Sequence, residues 1–328
     1  MRADLNSRIV SIVLALFATT LIAHAAEVKY PTRPIRIIVP FPPGGGGDTI
    51  ARIVGAKLTE IWGQQIIVEN KGGAGGNLAS DATARSAPDG YTLFLSGDFL
   101  VTNQFIYPKL SYDPEADFAA VSLVVRFPVV IVAPNSSPAQ NFKQFLELAR
   151  SRSSDPLTYA SPGYGTSPHL AAELLKREAN IALTHVPYRG AAPALQDLIP
   201  GRVDSFFNNI APTVPLMRQG QIRGIAVTSA KRATAMPDLP TAAESGLPGF
   251  DVSGWYAFVT PARTPPEIIA KMHADTVTAL SDPTTRAKLE DLALFVEGSS
   301  PTQLENMMKA ERTKWGPVIK AAGISIKE

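Results

Sequence analysis

The chain has 328 residues, a length that is comfortable for two lobes or domains and too great for one small core. Hydrophobic residues make up 45% of the sequence and charged residues 18%, which indicates a globular protein rather than a disordered one. A formal net charge of +2 gives no electrostatic case for nucleic acid, and the lack of cysteine excludes disulfides, thiolate catalysis and a cysteine-built zinc site.

The N-terminus has the features of a secretory signal peptide, which we assign to residues 1–26. Two arginines flank a polar start, an apolar stretch covers residues 9–18, and Ala23-His24-Ala25 has the small-x-small cleavage pattern. Cleavage after Ala25 fits best, with cleavage after Ala26 as the alternative. The apolar stretch is shorter than the roughly 20 residues of a membrane span, and no cysteine follows it to carry a lipid. We therefore expect a soluble, exported protein without a lipid anchor.

The first predicted element of the mature chain is a buried strand, Ile35–Val39, which a glycine loop joins to a helix over residues 49–62. Four glycines at residues 44–47 let a ligand approach the backbone, because no Cβ stands in the way. Asp48 is a good N-cap for the helix. Free N–H groups at a helix start suit a carboxylate or a phosphate. The geometry alone leaves an anion site and an ordinary strand-to-helix turn equally open.

Two further strand–helix units follow in the first third of the chain. The second strand is predicted at Ile66–Asn70, and a glycine-rich loop then leads to Asn77 as the candidate cap of a helix through residue 85. The third strand covers residues 91–96. Three such units in succession predict a parallel, right-handed α/β sheet. Neither glycine loop completes a dinucleotide or P-loop motif, so we expect no nucleotide and no cofactor.

The middle of the chain repeats the pattern of strand, glycine loop and helix. Apolar strands are predicted at residues 118–125 and 129–133, and Arg126-Phe127-Pro128 between them is a plausible crossing between lobes. A strand at Leu157–Ser161 leads into a second glycine loop, and Pro168 suits the first turn of the helix after it. The remaining predicted strands cover residues 184–186, 203–208, 225–229, 252–260 and 294–297. The remaining predicted helices cover residues 141–151, 191–199, 212–219, 265–280 and 301–321, with a shorter one after residue 282.

Few residues in the mature chain could carry chemistry. Its histidines are His169, His185 and His273, and none belongs to a metal-binding motif, so we expect no metal. No Gly-x-Ser-x-Gly motif is present. Ser161 and His169 lie eight residues apart across a loop and could be nucleophile and base, although such pairs commonly meet without chemistry. We therefore expect no catalytic residue and keep a Ser/His hydrolase as an alternative.

Polar residues follow two other predicted strands, at the edge where ligands of open α/β sheets gather. Tyr188 and Arg189 follow one strand, and Arg189 could either bind a carboxylate through both nitrogens or remain a solvated charge. Asn208 and Asn209 end another strand and could either bind a ligand or form a turn. The tryptophans Trp62 and Trp255 are interpreted as core residues.

Blocks of sequence in the same order along the mature chain resemble the tripartite tricarboxylate transporter solute-binding proteins, also called Bug proteins. The resemblance begins at Pro40-Phe41-Pro42-Pro43-Gly44-Gly45-Gly46-Gly47-Asp48 and extends to Glu311-Arg312-Thr313-Lys314-Trp315. Between these blocks it includes Pro88-Asp89-Gly90-Tyr91, Gly163-Tyr164-Gly165-Thr166-Ser167-Pro168-His169 and Val186-Pro187-Tyr188-Arg189-Gly190.

The resemblance implies an α/β, two-lobed periplasmic-binding-protein type II (Venus flytrap) fold with a ligand cleft between the lobes. Lobe 1 would comprise residues 27–127 and 250–328, and lobe 2 residues 128–249. The implied function is capture of a small organic carboxylate in the periplasm for two integral-membrane transporter subunits. We expect a monomer that is not an enzyme and binds no nucleic acid. A protein that reports the ligand to a membrane sensor kinase fits the sequence as well.

The family's ligands are held largely by backbone N–H groups and bridging waters of two glycine loops, which implies a set of binding residues here. The expected residues are Phe41, Pro43, Gly44, Gly45 and Gly46 from the first loop, Ser161, Gly165, Thr166 and His169 from the second, and Ser96, Tyr188 and Asn208 at other strand ends. The family often has an acid at the position of Asn208, where it could receive an amino group. We therefore expect a carboxylic acid without a cationic group.

Overall fold

The structure is a computed structural model that describes residues 30–326, so the predicted signal peptide lies outside the described residues. The chain divides into two compact units, residues 1–32 and 33–328, and the fold below is that of the second unit. Among the helices described there, none is long and apolar enough to cross a membrane.

Three parallel strands open this unit, as the sequence predicts. They are β1 (Ile35–Val39), β2 (Ile66–Asn70) and β3 (Thr92–Gly97). β1 lies between β2 and β3 and pairs with both in parallel. The helices that follow them are α1 (Gly46–Trp62), α2 (Asn77–Ala84) and α3 (Phe99–Thr102). Ile50, Val54 and Leu58 are fully buried in α1, and their spacing of four residues forms the apolar stripe that packs on the sheet.

One long strand, β4 (Phe118–Pro134), links two groups of strands. Up to Pro128 it pairs with β9 (Ser253–Pro261), and beyond Pro128 it pairs with β7 (Ser205–Asn209) and β8 (Ile222–Val227), all antiparallel. The prediction of two separate strands is therefore wrong. Pro128 is the last residue paired with β9, so it stands where the ladder changes partner and its missing N–H disturbs the pairing little.

The second group contains two more parallel pairings. β5 (Leu157–Ser161) lies between β6 (Leu183–Pro187) and β7 and is parallel to both. The helices of this part are α4 (Phe142–Ser151), α5 (Ser167–Glu178), α6 (Ala191–Leu198) and α7 (Val214–Arg218).

The C-terminal part returns to the first group of strands. Its elements are α8 (Pro266–Ser281), α9 (Pro283–Asp291), β10 (Phe295–Val296) and α10 (Pro301–Ala321). β10 pairs with the first part of β4, and α10 begins at a capping box made by Ser300 and Gln303. Trp255 is fully buried and Trp62 is 8% exposed, which confirms both as core residues.

The strands pair in the order β2-β1-β3-β9-β4-β7-β5-β6, with β8 and β10 also paired to β4. The chain therefore passes between the two groups of strands twice, once within β4 and once between β8 and β9. The two glycine loops follow β1 and β5, which are the central strands of the two parallel sets. The division into lobes at residues 127/128 and 249/250 stays a prediction.

Candidate functional site

Three helix N-termini meet at one small cavity that is partly open to solvent. α1 begins at Gly46, α5 at Ser167 and α6 at Ala191, and all three residues line the cavity. The first N–H groups of a helix have no partner within it, and its dipole adds partial positive charge. The other lining residues are Phe41, Gly45, Asp98, Phe127, Pro162, Thr166, Pro168, Asn208, Asn209 and Tyr256. Such a convergence of helix N-termini suits an anion.

The cavity is small in this conformation. About 20 Å³ is open to the centres of water-sized spheres, which is enough for one water. No Lys, Arg or His side chain occurs among the lining residues of the described chain. An anion bound here is therefore stabilised by dipoles and hydrogen bonds, and a longer ligand requires the surrounding loops to move apart.

The first glycine loop is held by an acid inside the helix that follows it. Asp48 is buried and accepts hydrogen bonds from the Gly44 N–H at 3.0 Å, from Nδ2 of Asn70 at 3.0 Å and from Nε of Arg52 at 3.1 Å. Burial by itself raises the pKa of Asp48, but these hydrogen bonds outweigh it and hold the pKa below its usual value.

Two predicted N-caps are wrong, each because the helix starts earlier than expected. The N-cap of α1 is Gly45, so Asp48 lies in the first turn and reaches back to the loop instead of capping the helix. The N-cap of α2 is Gly76, so Asn77 is the first helical residue. Its Oδ1 accepts hydrogen bonds from Nδ2 of Asn103 at 2.8 Å and from the Tyr112 hydroxyl at 2.7 Å.

Two asparagines at the end of β7 line the cavity with their amide side chains. Asn208 and Asn209 are 1% and 4% exposed, and within the described chain neither Nδ2 makes a hydrogen bond of normal geometry. Oδ1 of Asn209 accepts from the Ala211 N–H at 2.8 Å, which orients the amide. A Cβ on Gly46 would lie 2.7 Å from Nδ2 of Asn209, so glycine is needed where α1 approaches β7.

Asp98, an acid that the sequence analysis did not select, lines the same cavity. It directly follows β3, is 5% exposed, and no hydrogen bond of normal geometry reaches its Oδ2 from the described residues. Burial raises the pKa of Asp98 to about 7, against a smaller lowering by Ser167. The signal that could have found Asp98 is its place after a strand, the same signal that pointed to Tyr188 and Asn208.

The second glycine loop is held by uncharged rings. The Ser161 hydroxyl lies 2.7 Å from Nε2 of His185, and the His185 ring stacks on His169 with centroids 4.3 Å apart. The Gly165 N–H donates to Nδ1 of His169 at 3.3 Å. Burial lowers the pKa of both histidines to about 3, so both rings are neutral at pH 7. Ser161 thus contacts His185, whereas the sequence suggested His169.

The structure separates the expected ligand-binding residues into groups. Those that line the cavity are Phe41, Gly45, Gly46, Thr166 and Asn208. Pro43 does not line it, and those that make hydrogen bonds within the loops or the sheet without lining it are Gly44, Ser96, Ser161, Gly165 and His169. Tyr188 and Arg189 line a second cleft, which shares Phe41 and Pro162 with the first cavity. The ligand contacts themselves stay predictions.

The loops of the two strand groups touch each other around the cavity. The Thr102 hydroxyl donates a hydrogen bond to the Gly165 carbonyl at 2.8 Å. A Cβ on Gly165 would collide with Oδ1 of Asn103, and a Cβ on Gly190 would lie 2.7 Å from Cδ of Pro42. These approaches need glycine, so side chains added there are expected to hold the loops apart. Within residues 30–326, no three His, Asp or Glu side chains are grouped in a way that could hold a metal ion.

The sequence is similar to a known family and to several curated proteins. Residues 50–324 match the family model described as tripartite tricarboxylate transporter family receptor. A Pseudomonas sp. (strain P51) protein from the tcbD-tcbE intergenic region is 38% identical over 97% of this chain and 95% of its own. Protein BugT of Bordetella pertussis is 32% identical over 98% of this chain and 99% of its own.

Solved structures agree with these matches. Rpa4515 of R. palustris, solved with adipate, has a TM-score of 0.88 and 34% identity over 90% of this chain and 100% of its own. The periplasmic binding protein BugD has a TM-score of 0.87 and 33% identity over 90% of this chain and 100% of its own. MatC of Rhodopseudomonas palustris, solved with malate, has a TM-score of 0.83 and 35% identity over 88% of this chain and 100% of its own. These similarities confirm the predicted two-lobed periplasmic-binding fold.

Proposed function

Because this chain belongs to the family of tripartite tricarboxylate transporter receptors, we propose that it delivers a small organic carboxylate to the two integral-membrane subunits of such a transporter. It is a solute-binding protein of the periplasmic type. The chain is exported by its signal peptide and acts as a monomer. No covalent chemistry is involved.

The observation that carries this proposal is the convergence of α1, α5 and α6 on one cavity without a lining cation. A carboxylate accepts hydrogen bonds from backbone N–H groups, and the dipole of each helix adds to the attraction. Bridging waters complete the contacts that the small cavity does not make directly. The site comprises the cavity-lining members of the expected set, Phe41, Gly45, Gly46, Thr166 and Asn208, together with Asn209.

Binding couples to closure of two lobes. Residues 33–127 and 250–326 move against residues 128–249, with hinges in β4 near Pro128 and in the segment before β9. β4 exchanges its pairing partner directly after Pro128, so the backbone ladders of the two groups meet there without sharing a partner strand. The contacts between the glycine loops form when the lobes close over the ligand.

The ligand class follows from the cavity and from similar proteins. Rpa4515 and MatC are described with adipate and malate, both of which carry two carboxylates and no cationic group. The cavity of this chain offers amide and backbone donors at several places. A dicarboxylate or hydroxy-dicarboxylate is therefore the proposed ligand class.

A thermal-shift screen of the processed protein tests the proposal. After unfolding and refolding to remove bound solutes, the protein is mixed with C4 to C7 mono-, di- and tricarboxylates, amino acids, sugars and divalent metals. A ligand at one hundred times its dissociation constant adds about 2.7 kcal/mol of stability and raises the melting temperature visibly. Selective shifts by carboxylates support the proposal. Shifts by sugars or metals alone would overturn it.

The matched variant is Gly46→Ala. The added Cβ would collide with Asn209 only when α1 and β7 approach, and alanine suits the first turn of a helix. We expect the ligand-free melting temperature to change little and the carboxylate-induced shift to disappear. Mass spectrometry of the recovered ligand should show it unchanged, since turnover would favour the hydrolase alternative. Loss of carboxylate uptake in a deletion strain separates transport from sensing.

A further inference from the structure

We propose that Asp98 is protonated in the liganded protein and donates a hydrogen bond to a carboxylate oxygen of the ligand, so that ligand binding above neutral pH takes up a proton from solution. The inference rests on the proposed function, because it concerns the same cavity. It assigns to Asp98 a role as a specificity residue that makes carboxylate capture depend on pH.

The placement of Asp98 is the first reason. The residue follows β3 directly and lines the cavity together with Gly46, Ser167 and Ala191, the first residues of α1, α5 and α6. It is 5% exposed, and its Oδ2 makes no hydrogen bond of normal geometry within the described chain. A buried polar atom without a partner is costly, so a ligand atom is expected to satisfy it.

The charges around Asp98 are the second reason. The titratable groups that face it are the Glu311 carboxylate from α10 and the Tyr256 hydroxyl from β9, and the Ser167 hydroxyl of α5 lies beside it. Glu311 is an anion and raises the pKa of Asp98 further, whereas no lysine, arginine or histidine lines the cavity within the described chain. Burial and Glu311 together raise the pKa of Asp98 to about 7, against a lowering by the Ser167 hydroxyl and by backbone N–H groups.

A carboxylate ligand brings a further negative charge into the cavity beside Asp98. Two carboxyl groups that share a site cannot both ionise easily, and one of them retains a proton. The proton then forms a short, strong hydrogen bond between the acid and the carboxylate. Because about half of Asp98 is ionised at pH 7 in the free protein, ligand binding above this pH must take up a proton from solution.

The alternative is that ionised Asp98 binds an ammonium group of the ligand. The same three helix N-termini that attract an anion disfavour a cation in so small a cavity. The two possibilities predict opposite effects of pH. A carboxylate bound to protonated Asp98 binds more weakly as pH rises, whereas an ammonium group bound to ionised Asp98 binds more tightly.

Calorimetry of the processed protein with adipate, malate and the other C4 to C7 dicarboxylates tests the inference between pH 5.5 and 9. For the acid that binds most tightly, we expect constant affinity below about pH 6 and a tenfold loss per pH unit above about pH 7.5. Titrations at pH 8 in buffers of different ionisation enthalpy should show uptake of about one proton. This buffer test needs only the natural protein and does not depend on how a variant folds.

Asp98→Asn is the matched variant, because asparagine has the shape of the protonated acid and retains a donor without titrating. Its affinity should be independent of pH over this range and within a few-fold of the natural value at pH 6. Asp155→Asn, at an exposed residue paired with Arg152, is the control and should keep the natural pH dependence.

Three results overturn the inference while leaving the proposed function intact. They are a carboxylate affinity that does not change with pH, an affinity that rises with pH, and an Asp98→Asn variant that retains the full pH dependence. If no small carboxylate binds the natural protein at any pH, the proposed function fails, and this inference fails with it.

Discussion

The two glycine loops bring a helix N-terminus to the same cavity, but different forces hold them in place. In the first loop, the ionised carboxylate of Asp48 fixes the Gly44 N–H and is itself fixed by Arg52 and Asn70. In the second loop, neutral His169 and His185 stack beneath the backbone. The backbone of the first loop is thus held by a charged group, and the backbone of the second loop by buried, uncharged rings. The two loops should therefore differ in their response to mutation and to acid.

The largest effect is expected at Gly165 in the second loop. Gly165→Ala places a Cβ against Oδ1 of Asn103 and strains a residue with φ of +77°. We expect carboxylate affinity to fall roughly a hundredfold, or about 2.7 kcal/mol, and the melting temperature to fall as well. Calorimetry and thermal unfolding measure the two effects.

Gly220→Ala is the control for Gly165→Ala. Gly220 has φ of +67°, but nothing lies within 4 Å of an added Cβ. It should therefore reproduce the loss of melting temperature without the loss of affinity. Equal affinities for the two variants would mean that the contact between Gly165 and Asn103 does not contribute to closure.

Acid is expected to weaken the second loop before the first. His169 and His185 have a pKa of about 3 in the folded protein and about 6.5 when unfolded, so the unfolded chain binds more protons between these values. Their stabilisation is present above pH 6.5 and is lost as pH falls, by roughly 1.4 kcal/mol per pH unit for each ring. Asp48, whose pKa is lowered, loses its contribution only below its ordinary value of 3.8.

Over the same pH range, Asp98 changes the unfolding free energy in the opposite direction. Its pKa of about 7 lies above the ordinary 3.8, so the folded protein binds the extra proton and the stabilisation is lost as pH rises through 7. Asp98→Asn should therefore steepen the rise of unfolding free energy between pH 4.5 and 6.5 by roughly 1.4 kcal/mol per pH unit, and His185→Gln should flatten it by a similar amount. Urea unfolding at several pH values measures these slopes, and unchanged slopes in both variants would contradict the assignment.

The ionic support of the first loop can be tested from either partner. Asp48→Asn removes a buried charge that accepts several hydrogen bonds and should cost about 1–3 kcal/mol of unfolding free energy. Arg52→Gln should cost less than about 1 kcal/mol, because the arginine side chain is 54% exposed and solvent screens the pair. Chemical unfolding at pH 7 gives both values. Equal costs would show that the ion pair, rather than the Gly44 and Asn70 contacts, holds the loop.

The smallest effect on ligand affinity is expected at the hydrogen bond that joins the two loop regions. Thr102→Val removes, at nearly constant volume, the hydroxyl that donates to the Gly165 carbonyl at 2.8 Å and also lies 3.0 Å from the Asp98 carbonyl one turn earlier in the chain. The net contribution of one such hydrogen bond is about 0.5–1.5 kcal/mol, so its loss should weaken carboxylate affinity roughly two- to tenfold. Thr278→Val in α8 is the control, since its hydroxyl bonds only to the Ala274 carbonyl of its own helix. If Thr102→Val binds carboxylates as tightly as the natural protein does, this hydrogen bond does not stabilise the closed form.

Local sequence determined much of the fold. The run Ile35–Val39 is bounded by prolines and rich in β-branched residues, and it forms β1 with the predicted bounds. Leu157–Ser161 and α10 also keep their predicted bounds. These elements depend on near neighbours in the chain, as capping and hydrophobic periodicity do. The prediction of a strand break at Pro128 was wrong, because the effect of this proline on β4 depends on which strand lies beside it.

Contacts between distant residues decided the rest. Ser161 and His169 are close in sequence, yet Ser161 contacts His185 because β5 and β6 pair in parallel with Tyr159 opposite His185. Side chains alternate along a strand, so Ser161 lies on the same face as Tyr159 and within reach of His185. The partner was therefore set by strand register, which local sequence does not specify.

By itself, the sequence determined the family, the two glycine loops and the helices that follow them, since these depend on short-range backbone preferences. Only the tertiary structure decided that the N-termini of α1, α5 and α6 converge and that Asp98 and Asn209 join them. A carboxyl group acquires an unusual pKa from the atoms packed around it, and those atoms come from several distant segments. The chain thus encodes its binding loops locally, whereas the charge balance of the cavity arises from the fold.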